Sequence, residues 1–179
     1  MSERGGLNKI ISLPGGRQIR FRPVAPDDEG MVAEAIRTAS PQTLLHRFFT
    51  PLRGLAPEDL RRMLTLDPTR DFCVVGELND RAVPRIVCGA RYVRLADPTR
   101  AEIAITVHDE FQRQGIGRRL MNTLIEQGRT DGIQTFVADV LATNSPMLRL
   151  LQTIAPKRKS LFSSGVVHVE FDLADAVLS

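Results

Sequence analysis

The chain is 179 residues long, with 42% apolar and 25% charged residues and a formal net charge of +3. That composition suits one globular domain with a well-buried core. The mild charge, carried by scattered arginines, gives no reason to expect nucleic acid; no apolar run reaches membrane-spanning length and no signal peptide opens the sequence, so no membrane and a cytoplasmic location are expected.

Residues 1–16 are polar and glycine-containing and read as a flexible N-terminus, with Pro14-Gly15-Gly16 as a turn. Residues 17–179 read as a single domain. Ile19 and Phe21 alternate in a first strand that Pro23 ends. Asp27 and Asp28 are placed to cap a helix running to about Ala39, and Ser40-Pro41 starts a second one carrying Leu44, Leu45, Phe48 and Phe49. Pro57-Glu58-Asp59 opens a third, with Leu60, Met63 and Leu64 on its apolar side. Strands over 72–78 and 86–95 flank a hairpin turn at Asn79-Asp80. Asp97-Pro98 then turns the chain into a strand over 101–107. Cys73 and Cys88 lack C-x-x-C spacing and suggest buried thiols in a reducing compartment, with a disulfide between adjacent strands as the alternative.

The period changes at Gly115. Ile116, Leu120, Met121, Leu124 and Ile125 fall at helical spacing, and Gly132 sits where a C-terminal helix glycine belongs. A strand over 135–141 follows, then a helix from Ser145-Pro146 that Pro156 ends. Residues 161–162 and 166–173 close the sheet. Helices and strands mix, with an antiparallel run before the glycine turn, which suits an α+β sheet covered on both faces.

The turn Gln112-Arg113-Gln114-Gly115-Ile116-Gly117 lies at the mouth of that long helix. A first helical turn has amides without internal acceptors and a positive dipole end, and glycines let a ligand approach the backbone. With Arg113, Arg118 and Arg119 beside it, this is a phosphate-binding pattern. No Lys-Ser/Thr follows, so it is not a P-loop. Leu120 occupies the place of a third glycine, so it is not a dinucleotide fingerprint, which removes a nucleotide-binding redox domain. A tight turn with two conformational glycines is the plain alternative.

Gln112, Gly115 and Gly117, set between a strand and an amphipathic helix, resemble the acetyl-CoA motif of the GNAT superfamily of N-acetyltransferases. Residues 17–23, 47–49, 101–104, 144–151 and 165–173 resemble the bacterial Pat-type protein lysine acetyltransferase branch. The resemblance covers about residues 17–173, and part of that branch is fused to acyl-CoA synthetase-like or cyclic-nucleotide-binding modules. It implies a GNAT fold: a central, mostly antiparallel sheet of six to seven strands with helices on both faces. It also implies acetyl-CoA as cosubstrate. The amides of Gln114, Gly115, Ile116, Gly117 and Arg118 would then hold the pyrophosphate. Ile105, Thr106 and Val107 would pair with the pantetheine arm, and Asn144 would contact that arm, although Asn-Ser-Pro is also an ordinary helix cap. Matching the branch residue by residue makes Glu102 the general base, taking the proton from a lysine whose ordinary pKa is about 10.4. A water-facing structural carboxylate paired with an arginine is the alternative for Glu102.

The resemblance points to a protein lysine as acceptor, with an acyl-CoA synthetase as a candidate protein. A small amine is the second candidate, and a non-catalytic acyl-CoA-sensing module is a reading of another class. The family tyrosine that protonates the thiolate has no match here; Tyr92 lies on another strand, and Ser145 is a weak substitute. His46, His108 and His168 are isolated, so no metal is expected. Neither cysteine sits beside a histidine or a helix start, which argues against an acyl-cysteine. Lys157-Arg158-Lys159 reads as a solvated helix end, with contact to the cosubstrate's outer phosphate as its lesser alternative.

Overall fold

The computed structural model describes residues 7–178. Along the chain lie β1 (Lys9–Ser12), β2 (Gln18–Pro23), α1 (Glu29–Thr38), α2 (Pro41–Phe48), α3 (Pro57–Leu64), β3 (Asp71–Leu78), β4 (Arg85–Arg94) and β5 (Arg100–Val107). Then follow α4 (Ile116–Thr130), β6 (Thr135–Leu141), α5 (Ser145–Ile154), β7 (Lys159–Ser163) and β8 (Val166–Asp172). The strands form one sheet in the order β1-β2-β3-β4-β5-β6-β8-β7. Only β5 and β6 pair in parallel, and every other neighbouring pair is antiparallel.

The expected α+β architecture is present, with eight strands among the described residues instead of six or seven. The additional strand is β1, inside the segment read as a loose terminus. Ile11 pairs with Ile19 and is 2% exposed, so residues 9–12 belong to the sheet; residues 1–6 of that segment lie outside the described residues. Phe49, expected inside the second helix, instead ends it in a left-handed conformation with φ 61°. Ser40 caps that helix as expected, accepting from the Thr43 amide at 3.1 Å.

Each face of the sheet has its own apolar layer. On one, the buried stripe of α4 (Leu120, Met121, Leu124, Ile125) packs over β4 and β5. Each such side chain contributes roughly 1.5–3 kcal/mol of transfer free energy. Beneath them Phe72, Tyr92, Phe136 and Phe171 cross the sheet with ring centroids 5.5–6.0 Å apart. On the other face Val32 of α1 and Leu60 of α3 cover Val75 and Ile86. This second layer stops short of β6–β8, where Asp139 and His168 stand exposed, and Glu102 of β5 is exposed at its margin.

Asp28 does not cap α1 with its side chain. Its carboxylate turns back, accepting from the Ala25 amide at 2.7 Å and, bidentately, from Arg22 at 2.7 and 2.8 Å. Glu77 accepts from the same guanidinium at 2.7 Å. Burial opposes the Asp28 charge, but the Arg22 and Ala25 donors outweigh it and hold the carboxyl below its usual range. A depressed carboxyl stabilises the fold fully above the unfolded pKa of about 3.9 and loses that contribution as pH falls through the folded value. Urea midpoints measured from pH 5 downward should fall more steeply for the native chain than for Asp28→Asn; parallel curves would remove this assignment.

Candidate active site

Sheet register shapes the site. β5 and β6 pair only over Arg100↔Thr135, Ala101↔Phe136 and Glu102↔Val137. Beyond that point β5 continues on β4 as far as Val107, and β6 continues on β8 as far as Leu141. The two strands therefore part, leaving the backbone edge of Ile105, Thr106 and Val107 open towards β6. An open strand edge is a row of donors and acceptors in search of a partner. The sequence-predicted residues Ile105 to Val107 lie on this edge.

The strand leads into the glycine turn. Arg113 has φ 58° and Gly115 φ 78°, so the turn needs a left-handed residue at 115, and glycine supplies it without strain. Gly117 is different. It lies in the first turn of α4, and a Cβ there would meet only Leu150 Cδ2 at 3.5 Å, an ordinary contact. Neither backbone nor packing requires glycine at 117.

The side chains of the turn act as braces. Gln112 Nε2 donates to the Val107 carbonyl at 3.0 Å and to Thr43 Oγ1 at 3.1 Å. Gln114 Nε2 donates to the Glu110 carbonyl at 3.0 Å. Asp109 accepts from the Ser40 hydroxyl and amide at 2.6 and 2.9 Å and from Thr43 Oγ1 at 2.8 Å. Burial works against the Asp109 charge, yet the Ser40 and Thr43 donors keep its pKa below the ordinary carboxylate value. Asp109 thereby ties the start of α2 to the loop after β5. This tie is absent from the sequence reading, because its members are 66–69 residues apart.

Glu102 sits where β5 and β6 part. It is exposed, on the same sheet face as Ala104 and Thr106 and at the margin of the part that α1–α3 cover. It faces water, as the structural alternative has it, but no arginine pairs with it among the described residues; neighbouring Arg100 pairs with Glu170 at 2.6 Å. Asn144 caps α5, its Oδ1 accepting from the Met147 amide at 3.2 Å, and keeps its NH2 group to donate. Tyr92 is fully buried and donates to Asp131, so it is no acid for a thiolate. Lys157 pairs with Asp175 at 2.8 Å.

Sequence reading also missed a cavity of about 130 Å³ between α1–α3 and the sheet. Val32, Ile36, Leu44 and Met63 supply apolar walls, and Arg47, Cys73, Arg91, Thr106 and His108 complete them. Arg47 and its two neighbours were visible only as part of a resemblance. Among the described residues no cluster of three or more His, Cys, Asp or Glu is placed to hold a metal, and no helix is long and apolar enough to cross a membrane.

Known proteins resemble this chain in sequence and in fold. Residues 39–154 match the model of the acetyltransferase (GNAT) family. The acetyltransferase Pat of Mycolicibacterium smegmatis is 32% identical over 169 residues, covering 91% of this chain and 48% of the relative. The chain thus spans about half the length of that relative. The crystal structure of the GNAT domain of S. lividans PAT superposes with a TM-score of 0.81 at 25% identity, covering 93% of this chain and 97% of that one. The yncA structure from Salmonella typhimurium, solved with its cofactor acetyl-CoA, has a TM-score of 0.66 over 87% of this chain and 94% of its own. At 18% identity it shows the shared fold alone.

Both cysteines are free; Cys73 stands opposite Arg91 and Cys88 opposite Gly76. Burial pushes the Cys73 thiol up to about 11, against the pull of Arg91 and Arg47, and Cys88 up to about 12. Thiols this weakly acidic carry almost no thiolate near neutrality. Iodoacetamide at pH 8 should label neither in the folded protein and both after denaturation, as read by intact mass. Native labelling of Cys73 would reopen a covalent route.

Proposed function

We propose that this chain, which belongs to the acetyltransferase (GNAT) family, transfers an acetyl group from acetyl-CoA directly to a protein lysine. The observation that carries the reading is the parting of β5 and β6 after Glu102 and Val137, with the open strand edge leading to the start of α4. The residues fit the cosubstrate. The amides of residues 114–118 suit a pyrophosphate, since a helix start favours anions and Gly117 leaves room. The open edge at Ile105 to Val107 suits the amides of a pantetheine arm. Asn144 can donate to the same arm.

The chemistry then follows from the residues in place. An amide on the β5 edge polarises the thioester carbonyl and stabilises its developing negative charge. Glu102 takes the ammonium proton, directly or through one water, and frees the nitrogen to attack. The carbon–sulfur bond breaks as the carbon–nitrogen bond forms, and the thiolate leaves as CoA. Direct transfer agrees with the two weakly acidic thiols.

Exposure of Glu102 favours a bulky acceptor. A lysine on a protein surface can reach a carboxylate exposed at the margin of the covered sheet face, whereas a small amine needs no such opening. The similarity to Pat supports the same acceptor class, with an acyl-CoA synthetase as one candidate protein. Acetylation of a lysate with labelled acetyl-CoA, followed by site mapping, tests the acceptor. Binding without release of CoA to any amine would instead make the chain an acyl-CoA sensor.

Gly117→Glu should abolish acetyl-CoA binding in calorimetry while Gly117→Ala, whose methyl is accommodated, remains folded. Equal affinity of the Glu variant and the native chain would remove the pyrophosphate site. Glu102→Gln should retain cosubstrate affinity and lose roughly 10²–10⁴-fold in turnover at neutral pH. The deficit should shrink towards pH 10, where the lysine arrives neutral. Native turnover in this variant at pH 7, with chemistry rate-limiting, would make Glu102 a structural carboxylate.

A further inference from the structure

The cavity beneath α1–α3 holds an arginine without a counter-ion. Arg47 makes no hydrogen bond or ion pair with any carboxylate among the described residues; its guanidinium lies 5.2 Å from the Phe48 ring. Burial pulls its pKa down, with the Cys73 and Glu102 fields opposing and Arg91 reinforcing that pull. An uncompensated cation at an apolar wall is costly.

Three further polar atoms in the same lining are buried without a partner: Arg91 Nε, Thr106 Oγ1 and His108 Nδ1. Arg91 and His108 are otherwise engaged. Arg91 donates to the Met63 carbonyl at 3.0 Å and pairs with Asp71 at 3.1 Å, and His108 Nε2 lies 3.2 Å from Thr38 Oγ1. Native interiors rarely leave such groups unsatisfied, so a group of them in one cavity calls for a ligand. Arginine and hydroxyl donors, with an imidazole that donates in one tautomer, suit an anion with several acceptor lone pairs. A carboxylate matches the arginine fork.

We propose that this cavity receives the distal carboxylate of a dicarboxylic acyl group, with Arg47 as its counter-ion. The inference rests on the acyltransferase reading above and extends it from acetyl to short acyl chains ending in carboxylate. Two features assign the anion to the acyl donor. Ala104 and Thr106 line the cavity and belong to the strand whose open edge receives the thioester arm. The acceptor's ammonium, being cationic, is repelled by Arg47 and is met outside the cavity by exposed Glu102. At about 130 Å³ the space is far larger than a single water requires, and its walls are chiefly aliphatic, as a two-methylene spacer needs. The reaction is unchanged in its balance. The lysine nitrogen displaces CoA at the thioester carbon, its proton passes to Glu102, and the distal carboxylate is a spectator.

The test compares succinyl-CoA with butyryl-CoA, an uncharged chain of equal length, and with acetyl-CoA, on one lysine peptide. The native chain should prefer succinyl to butyryl by at least tenfold in kcat/KM. Arg47→Met should erase or invert that ratio, and Arg47→Lys should retain part of it; circular dichroism confirms folding of each. A succinyl-to-butyryl ratio that is the same in the native chain and both variants, with acetyl transfer intact, overturns the inference and spares the proposed function. Absence of binding by every acyl-CoA overturns both. A fourth arm offers free glutamate as acceptor with acetyl-CoA; Arg47-dependent transfer there, without a succinyl preference, assigns the carboxylate to the acceptor and also overturns the inference.

Discussion

The parallel pair β5 and β6 shares hydrogen bonds for three register positions and then separates. Most of the site depends on that separation. Neither strand loses its place in the sheet, because β5 remains paired to β4 from Ala101 to Val107 and β6 to β8 from Thr135 to Leu141. The gap is thus built into a continuous sheet without leaving a loose end. It exposes a stretch of β5 backbone edge in the middle of the sheet that another extended molecule can pair with. The glycine turn stands at the end of that edge, held to it by Gln112 on the Val107 carbonyl.

The same separation divides the sheet face opposite α4. On one side of it α1–α3 cover β3–β5 and enclose a cavity with Arg47 in its wall. On the other, β6–β8 present charged side chains to solvent, among them Asp139 and His168 paired at 2.6 Å. Glu102 stands at the boundary. Asp109 fixes the boundary on the covered side, since it anchors α2 to the segment just after β5.

Local chemistry explains which parts were legible in the sequence. The period of α4, its glycines and the Ser40 cap are features of neighbouring residues, and the structure shows each of them. β6 is so regular in its alternation that residues 135–141 emerge with the expected bounds. β1 has four residues, too few for a period to declare itself against a glycine-rich surround. Asp28 looked like a helix cap because its sequence context is that of one, but Arg22, across the end of β2, offers a stronger, charged donor. The cavity had no local pattern at all. Arg47, Arg91 and His108 come from a helix, a strand and a loop, and only the packing of α1–α3 on the sheet brings them to one wall.

The aromatic row beneath α4 has an optical consequence. The chain has no tryptophan and a single tyrosine, Tyr92, which lies between Phe72 and Phe136 at the centre of the sheet with its hydroxyl on Asp131. Emission excited at the red edge of tyrosine absorption therefore comes from one site in the middle of the core. A phenol hydrogen-bonded to a carboxylate is quenched, and water exposure releases it. The native chain carries a built-in fluorophore that stays dim while the central strands hold and brightens when they part.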